Sequence, residues 1–300
     1  MSNALTIIAT RWQDYLALCK PKIVALIVFT AFVGMLLAVP GAVPLNLMIF
    51  GLLGIWLAAS SAAVINQVVD LKIDSEMMRT RSRPLVRGNV STQSAILFAF
   101  ILCAASMLIL TLLVNTLTAV LTLFSLIGYG FIYSMYLKRA TPQNIVIGGI
   151  AGAAPPILGW SAISNSLDPH SLLLFLIIFA WTPPHFWALA IFRRKEYAKV
   201  NIPMLPITHG VEFTRMYILL YSVVLLLVSL LPFITMMSGP LYLLGALIFG
   251  LVFLYHAIRM QFDHSDRRAL RMFSYSIIYL ASLFSFLILD HYVPLIMRAA

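Results

Sequence analysis

The sequence predicts an all-α, polytopic membrane bundle with its N-terminus in the cytoplasm and its C-terminus outside. Three observations carry that prediction. Hydrophobic residues make up 62% of the chain and charged residues only 10%, whereas a soluble domain averages about 25% charged. The apolar residues fall into blocks long enough to cross a bilayer, which takes roughly 17–25 residues of helix. All of the 20 Lys and Arg residues except Arg298 lie in alternate connections between these blocks, which is the positive-inside pattern.

The blocks run at 23–39, 44–67, 93–114, 117–137, 143–163, 171–191, 214–234, 240–260 and 272–290. Nine spans place the two termini on opposite sides. The basic connections hold, in order, Arg11, Lys20 and Lys22; Lys72, Arg79, Arg81, Arg83 and Arg87; Lys138 and Arg139; Arg193, Arg194, Lys195, Lys199 and Arg215; and Arg259, Arg267, Arg268 and Arg271. The connections near Pro40, Asn115, Asp168 and Gly239 hold none. They are short, so consecutive spans pair as antiparallel hairpins. No polar connection is long enough to bury a core of its own, and 1–300 reads as a single intramembrane domain. The net charge of +10 is explained by topology and by contact with anionic lipid. Basic residues interleaved with spans exclude a nucleic-acid-binding surface. Cys19 and Cys103 have no metal or redox spacing and predict no disulfide. The first 20 residues lack the pattern of a cleavable signal, so the first span is expected to stay in the mature protein.

The chemistry concentrates in the connections after the second and sixth spans. Asn66, Asp70 and Asp74 are spaced by four. On a helix each such step drifts by about 40°, so the three side chains share an arc of about 80°. Two carboxylates and an amide oxygen are hard ligands suited to Mg²⁺, which is commonly shared between carboxylates and substrate phosphates. The plainer alternative is a solvated loop whose acids pair with neighbouring arginines. Asn66 weighs against it, because it ends an apolar run at a depth where polar groups tend to face a cavity. Arg79, Arg81 and Arg83 follow at two-residue spacing, and Pro84 keeps Arg83 out of helical geometry. Guanidinium groups suit bidentate phosphate recognition, although such runs also serve purely as topology signals. Tyr133, Tyr136, Lys138 and Arg139 close the fourth span. The tyrosines fit interfacial anchors, and the two cations add charge to the same anion site.

In the fifth span, Gly148, Gly149 and Gly152 lead into Pro155 and Pro156. These residues predict close helix approach and a bend. In the sixth, Trp181, Pro183, Pro184, His185, Phe186 and Trp187 stand together. A double proline predicts a broken helix. A histidine among aromatic rings suits either a hydrogen bond within the protein or contact with a flat apolar macrocycle.

With these motifs the chain resembles the UbiA-type intramembrane prenyltransferases over nearly its whole length. The segments that carry the resemblance are Asn66-x-x-x-Asp70-x-x-x-Asp74 with Arg81-x-Arg83-Pro84-Leu85, Tyr133-x-x-Tyr136-Leu137-Lys138-Arg139, and Trp181-x-x-Pro184-His185-Phe186-Trp187. The last segment, with Pro203-Met204-Leu205-Pro206, is similar to the branch that acts on haem. The chain departs from the superfamily pattern after the sixth span. A second aspartate-rich motif is replaced there by Glu196 among Arg193, Arg194 and Lys195.

The resemblance implies transfer of farnesyl from farnesyl diphosphate to a vinyl group of haem B, at the cytoplasmic face of a bacterial inner membrane. It implies Mg²⁺ on Asn66, Asp70 and Asp74, with diphosphate held by Arg79, Arg81, Arg83, Lys138, Arg139, Arg193 and Lys195. Haem would meet Tyr133, Trp181, His185 and Trp187. A downstream haem A synthase or terminal-oxidase assembly would receive the product. Two other readings stand beside it: prenylation of another aromatic acceptor such as 4-hydroxybenzoate, and a polytopic transporter or carrier. Acids clustered at one membrane face disfavour the transporter, whose site belongs near the midplane.

Overall fold

The computed structural model describes residues 12–299, with side chains through Val293. Arg11 and the side chain of Arg298 lie outside the described residues. Among those residues there is no strand. Eight helices are long and apolar enough to cross a membrane, and a bent pair supplies a ninth. That pair is α1 (Trp12–Leu18) and α2 (Pro21–Leu37), which meet at 55°. The succeeding helices are α3 (Leu45–Val69), the short α4 (Leu71–Glu76), α5 (Thr92–Leu113) and α6 (Thr116–Ile127). A π-helical stretch (Gly128–Leu137) and α7 (Lys138–Ala140) complete the α6 span. Then come α8 (Asn144–Ala153), α9 (Pro155–Ser164), α10 (Pro169–Phe192), α11 (Arg194–Lys199), α12 (Leu205–Thr208), α13 (Val211–Ile234), α14 (Pro240–Phe262) and α15 (Asp266–Ala299).

Among the described residues seven of the spans match the apolar blocks to within about three residues, while the α1–α2 pair begins at Trp12, well before its block, and the last span begins at Asp266 rather than at 272. The reason is that a bilayer demands apolar length rather than periodicity. Their outer faces remain apolar: along α5, Ile96, Leu97, Phe100, Leu108 and Leu112 are all exposed. A soluble monomer rarely leaves a continuous patch of that kind uncovered, and lipid covers it here.

α10 is the centre of the bundle and packs on α8, α13 and α15. Leu174, Ile177, Trp187, Ala188 and Ile191 are buried along it. The expected break at Pro183–Pro184 does not occur, and the helix runs through both residues. Each proline removes one backbone donor, but packing on three neighbouring helices outweighs two missing bonds. Thr182 Oγ1 also donates to the Ile178 carbonyl at 2.8 Å. The expected bend at Pro155–Pro156 is a one-residue interruption at Ala154 between α8 and α9.

The closest helix approach is not at the glycines singled out above. Gly152 faces open space, Gly149 meets the Thr182 side chain and Gly148 meets the Tyr133 ring. It lies instead between α2 and α9, where a methyl group on Gly34 would overlap the Pro156 carbonyl and one on Gly159 would overlap that of Ala31.

The two ends of the bundle are knit separately. At the basic end Lys138 bonds Asp70, Arg194 bonds Asp266, and Arg215 donates to the His264 carbonyl. At the other end Asn115 donates to the Ser161 carbonyl, His291 meets the Val39 carbonyl, and Asp290 receives the N–H groups of Gly239 and Tyr242.

Candidate active site

At the basic end α3 stops at Val69, Asp70 takes non-helical angles, and α4 restarts at Leu71. The four-residue ladder survives this junction. Asp70 N–H reaches the Asn66 carbonyl at 3.0 Å, and Asp74 N–H reaches that of Asp70 at 2.8 Å. Asn66, Asp70 and Asp74 therefore stay on one face, as their spacing predicts. They are 6%, 2% and 4% exposed, which removes the solvated-loop reading. The pairing half of that reading is present, however, because each side chain is met by a cation.

Lys20 Nζ donates to Asn66 Oδ1 at 2.6 Å, Lys138 Nζ to Asp70 Oδ2 at 2.5 Å, and Arg83 Nη1 to Asp74 Oδ2. Asn66 Nδ2 completes the chain by donating to Asp70 Oδ2 at 3.0 Å and to Ser134 Oγ at 3.1 Å. Ser134 in turn donates to the Tyr129 carbonyl at 2.9 Å, across the wider turn of the π-helix. That wider turn, a feature common at functional sites, brings Ser134 and Lys138 to α3. Thr80 Oγ1 donates to the Asp74 carbonyl at 3.0 Å and folds the connection back over the site.

One group is left over. Asp70 Oδ1 is buried and has no hydrogen-bond partner, a costly condition for a carboxylate oxygen. Among the described residues no three His, Cys, Asp or Glu side chains gather at one point. The residues present thus fit an ion that takes few protein ligands and completes its shell elsewhere. Mg²⁺ behaves in this way, and two carboxylates and an amide are hard oxygen donors.

The other predicted cations separate by exposure. Arg79 and Arg81 are exposed, as is Lys195. Arg139 is also exposed and donates to the Val69 carbonyl at 3.3 Å. Arg193 pairs with Glu196 at 2.9 Å, and Arg194 pairs with Asp266. Burial pushes the Tyr197 phenol above its ordinary pKa, and the charges of Arg79 and Arg193 offset part of that rise. Tyr133 stacks on Tyr129, with ring centroids 5.4 Å apart, and occupies the space that Gly148 leaves open. Tyr136 is 69% exposed, as suits an interfacial anchor.

In α10 the His185 ring lies between Trp181, at 4.2 Å, and Phe273 of α15, at 4.6 Å. Its Nδ1 meets Ser276 Oγ at 2.6 Å, and Trp181 Nε1 donates to the Ser276 carbonyl at 2.7 Å. Trp187 does not join this stack. It is fully buried and turned toward α13, edge-on to Tyr221 at 5.4 Å. Sequence reasoning missed Lys20, Ser134, Phe273 and Ser276 as site neighbours. Lys20 read as one more topology charge. Phe273 and Ser276 lie far along the chain on a different span, where no local pattern marks them.

Residues 27–283 match the model of the UbiA prenyltransferase family. The chain belongs to the UbiA prenyltransferase family. Its curated relatives include the protoheme IX farnesyltransferases of Nitrosococcus oceani, 56% identical over 285 residues covering 95% of each chain, and of Marinobacter nauticus, 57% identical over 282 residues covering 94% of this chain and 93% of that one. Among solved structures, a digeranylgeranylglyceryl phosphate synthase superposes with a TM-score of 0.79 at 18% identity, covering 94% of this chain and 99% of that one. A UbiA homologue from Archaeoglobus fulgidus bound to GPP and Mg²⁺ gives 0.60 at 17% identity, covering 91% and 99%. At such identities these two establish the shared UbiA fold of membrane helices and nothing further.

Proposed function

We propose that this UbiA-family enzyme transfers farnesyl from farnesyl diphosphate to a vinyl group of haem B, giving haem O. Names carried by relatives at 55–57% identity over about 95% of the chain support that substrate pair. The observation that carries the chemistry is the buried Asn66–Asp70–Asp74 face, its unpartnered Asp70 Oδ1 and the three cations around it. In the reaction the farnesyl C1–O bond breaks and diphosphate leaves with the electron pair. The vinyl group bonds to C1, and water adds to the resulting cation with loss of a proton.

Asn66, Asp70 and Asp74 would hold Mg²⁺, which when bound neutralises negative charge developing on the diphosphate. Lys20, Arg83 and Lys138 stand beside it to take the leaving group, and charge placed in advance acts most strongly where water is excluded. Exposed Arg79, Arg81, Arg139 and Lys195, together with Arg193, form an outer rim that attracts the anion. The isoprenoid tail lies among apolar spans, which keep water from an allylic cation. On the acceptor side, Ser276 occupies Nδ1 of His185 and leaves Nε2 for haem, with Trp181 setting the ring plane and Tyr133 facing the diphosphate end. The active site faces the cytoplasm of a bacterial inner membrane, as the basic connections predict, and the product passes to haem A synthesis or oxidase assembly.

Membranes containing the protein, incubated with haem B, farnesyl diphosphate and Mg²⁺, should yield a pigment heavier than haem B by one farnesyl group and one hydroxyl. Unchanged haem together with prenylated 4-hydroxybenzoate in a parallel incubation would reassign the acceptor.

A further inference from the structure

Lys20 is held in an unusual way. Its backbone is left-handed, with φ 50° and ψ 58°, a region that non-glycine residues seldom adopt and that a following proline disfavours further. Pro21 follows, and the chain turns by 55° between α1 and α2 at this point. Local strain of this kind persists only when the surroundings enforce it. Here it delivers the Lys20 ammonium to Asn66 Oδ1.

With Lys20 counted, every ligand side chain of the site has a resident cation: Lys20 on Asn66, Lys138 on Asp70 and Arg83 on Asp74. Arg83 and Lys138 alone balance the two carboxylates, and Lys20 stands beside them as a third amine. A divalent cation entering alone would leave its whole charge uncompensated, in a place where the carboxylates are almost wholly buried and charges are poorly screened. Asp70 Oδ1 stands open to it, but Asn66 Oδ1, Asp70 Oδ2 and Asp74 Oδ2 already carry cations that it would have to displace to gain further ligands. A diphosphate changes both conditions, because it offers the three cations a polyanionic partner and frees the oxygens they occupy.

We propose that Lys20, Lys138 and Arg83 are place-holding cations that make metal and diphosphate binding interdependent, with Lys20 a positioning residue that occupies the amide ligand until diphosphate draws it away. This rests on the reading of Asn66, Asp70 and Asp74 as the metal site, but not on the identity of the acceptor. By reciprocity, whatever diphosphate adds to metal affinity, metal adds to diphosphate affinity.

The test uses the purified full chain in lipid nanodiscs. Mn²⁺ serves as the metal, read by its paramagnetic resonance signal, and a farnesyl thiolodiphosphate that cannot be turned over serves as the anion. In the unaltered protein Mn²⁺ alone should bind weakly, and the thiolodiphosphate should tighten it about tenfold or more. Lys20→Met should bind Mn²⁺ alone more tightly, bind the thiolodiphosphate alone more weakly, and show a smaller coupling between the two. Lys20→Arg should restore the coupling at least in part. Lys138→Met, which acts on Asp70 from a different helix, should move all three readings in the same direction and covers the case in which Lys20→Met fails to fold. Equal Mn²⁺ affinity with and without thiolodiphosphate in the unaltered protein would overturn the proposal, as would weaker Mn²⁺ binding in both methionine variants. Intact coupling in a protein that leaves haem unprenylated would sink only the acceptor assignment.

Discussion

Asp70 is a carboxylate with one oxygen claimed twice and the other not at all. Oδ2 accepts from Lys138 and Asn66, while Oδ1 is buried without a partner. Replacing Asp70 or Asp74 with Asn removes a charged oxygen and leaves Lys138 or Arg83 facing a neutral amide. Farnesyl transfer should fall by about 10²-fold, the scale seen when one preorganised electrostatic group is lost, and the dependence on Mg²⁺ concentration should shift upward. Turnover measured against Mg²⁺ checks this, and full activity in both variants would contradict the metal assignment. Arg83 and Arg81 separate two roles that their spacing left open. Arg83 is half-buried and bonded to Asp74, whereas Arg81 is exposed. Arg83→Lys keeps the charge but loses the planar fork, so it should reduce turnover more than Arg81→Lys. Equal effects would make both of them general rim charges. His185→Ala should weaken haem binding, followed by absorption, while thiolodiphosphate binding is retained. An unchanged haem spectrum with normal turnover would leave His185 as a packing residue between Trp181 and Phe273.

Among the elements, the helix starts and crossings carry the stability. α14 begins at Pro240 with Gly239 as its N-cap, and the N–H groups of Gly239 and Tyr242 are received by Asp290 of α15 rather than by a neighbour in sequence. A negative cap at a helix N-terminus stabilises by about 1 kcal/mol, more when partly buried. Asp290→Ala should lower the thermal midpoint of the detergent-solubilised protein while leaving Mg²⁺ dependence unchanged. Gly159→Val should be the harsher change, because the added carbons meet the Ala31 backbone, which cannot move without shifting α2. Overpacking of this kind costs about 1–3 kcal/mol or more. The α2–α9 contact was not legible in the chain, since isolated glycines look alike wherever they fall. The continuous α10 was misread for a related reason: Pro183 and Pro184 break a helix in isolation, and only the packing around it shows that the helix is held.

At the scale of the molecule, the arrangement is an antiparallel bundle whose basic end carries the polar site. The charge rule assigns that end to the cytoplasm. Single cysteines at position 168 and in 77–91, labelled with a membrane-impermeant reagent from each side, should react from opposite faces. Labelling of position 168 only from the cytoplasm would invert the topology.

The chain by itself determined the number of spans and the limits of most of them, the end of the bundle that carries the charge, and the Asn66–Asp70–Asp74 face. Each follows from a local rule, whether apolar length, charge alternation or helical spacing, and a bilayer leaves few alternatives to those rules. What only the tertiary structure decided is which groups meet. Lys138 reaches Asp70 and Lys20 and Ser134 reach Asn66 from distant parts of the chain, Ser276 and Phe273 enclose His185 from α15, and Trp187 turns away from it toward α13. Those contacts depend on the rotation of each helix about its axis. In lipid both faces of a span are apolar, so the hydrophobic pattern that sets rotation in a soluble helix is largely missing.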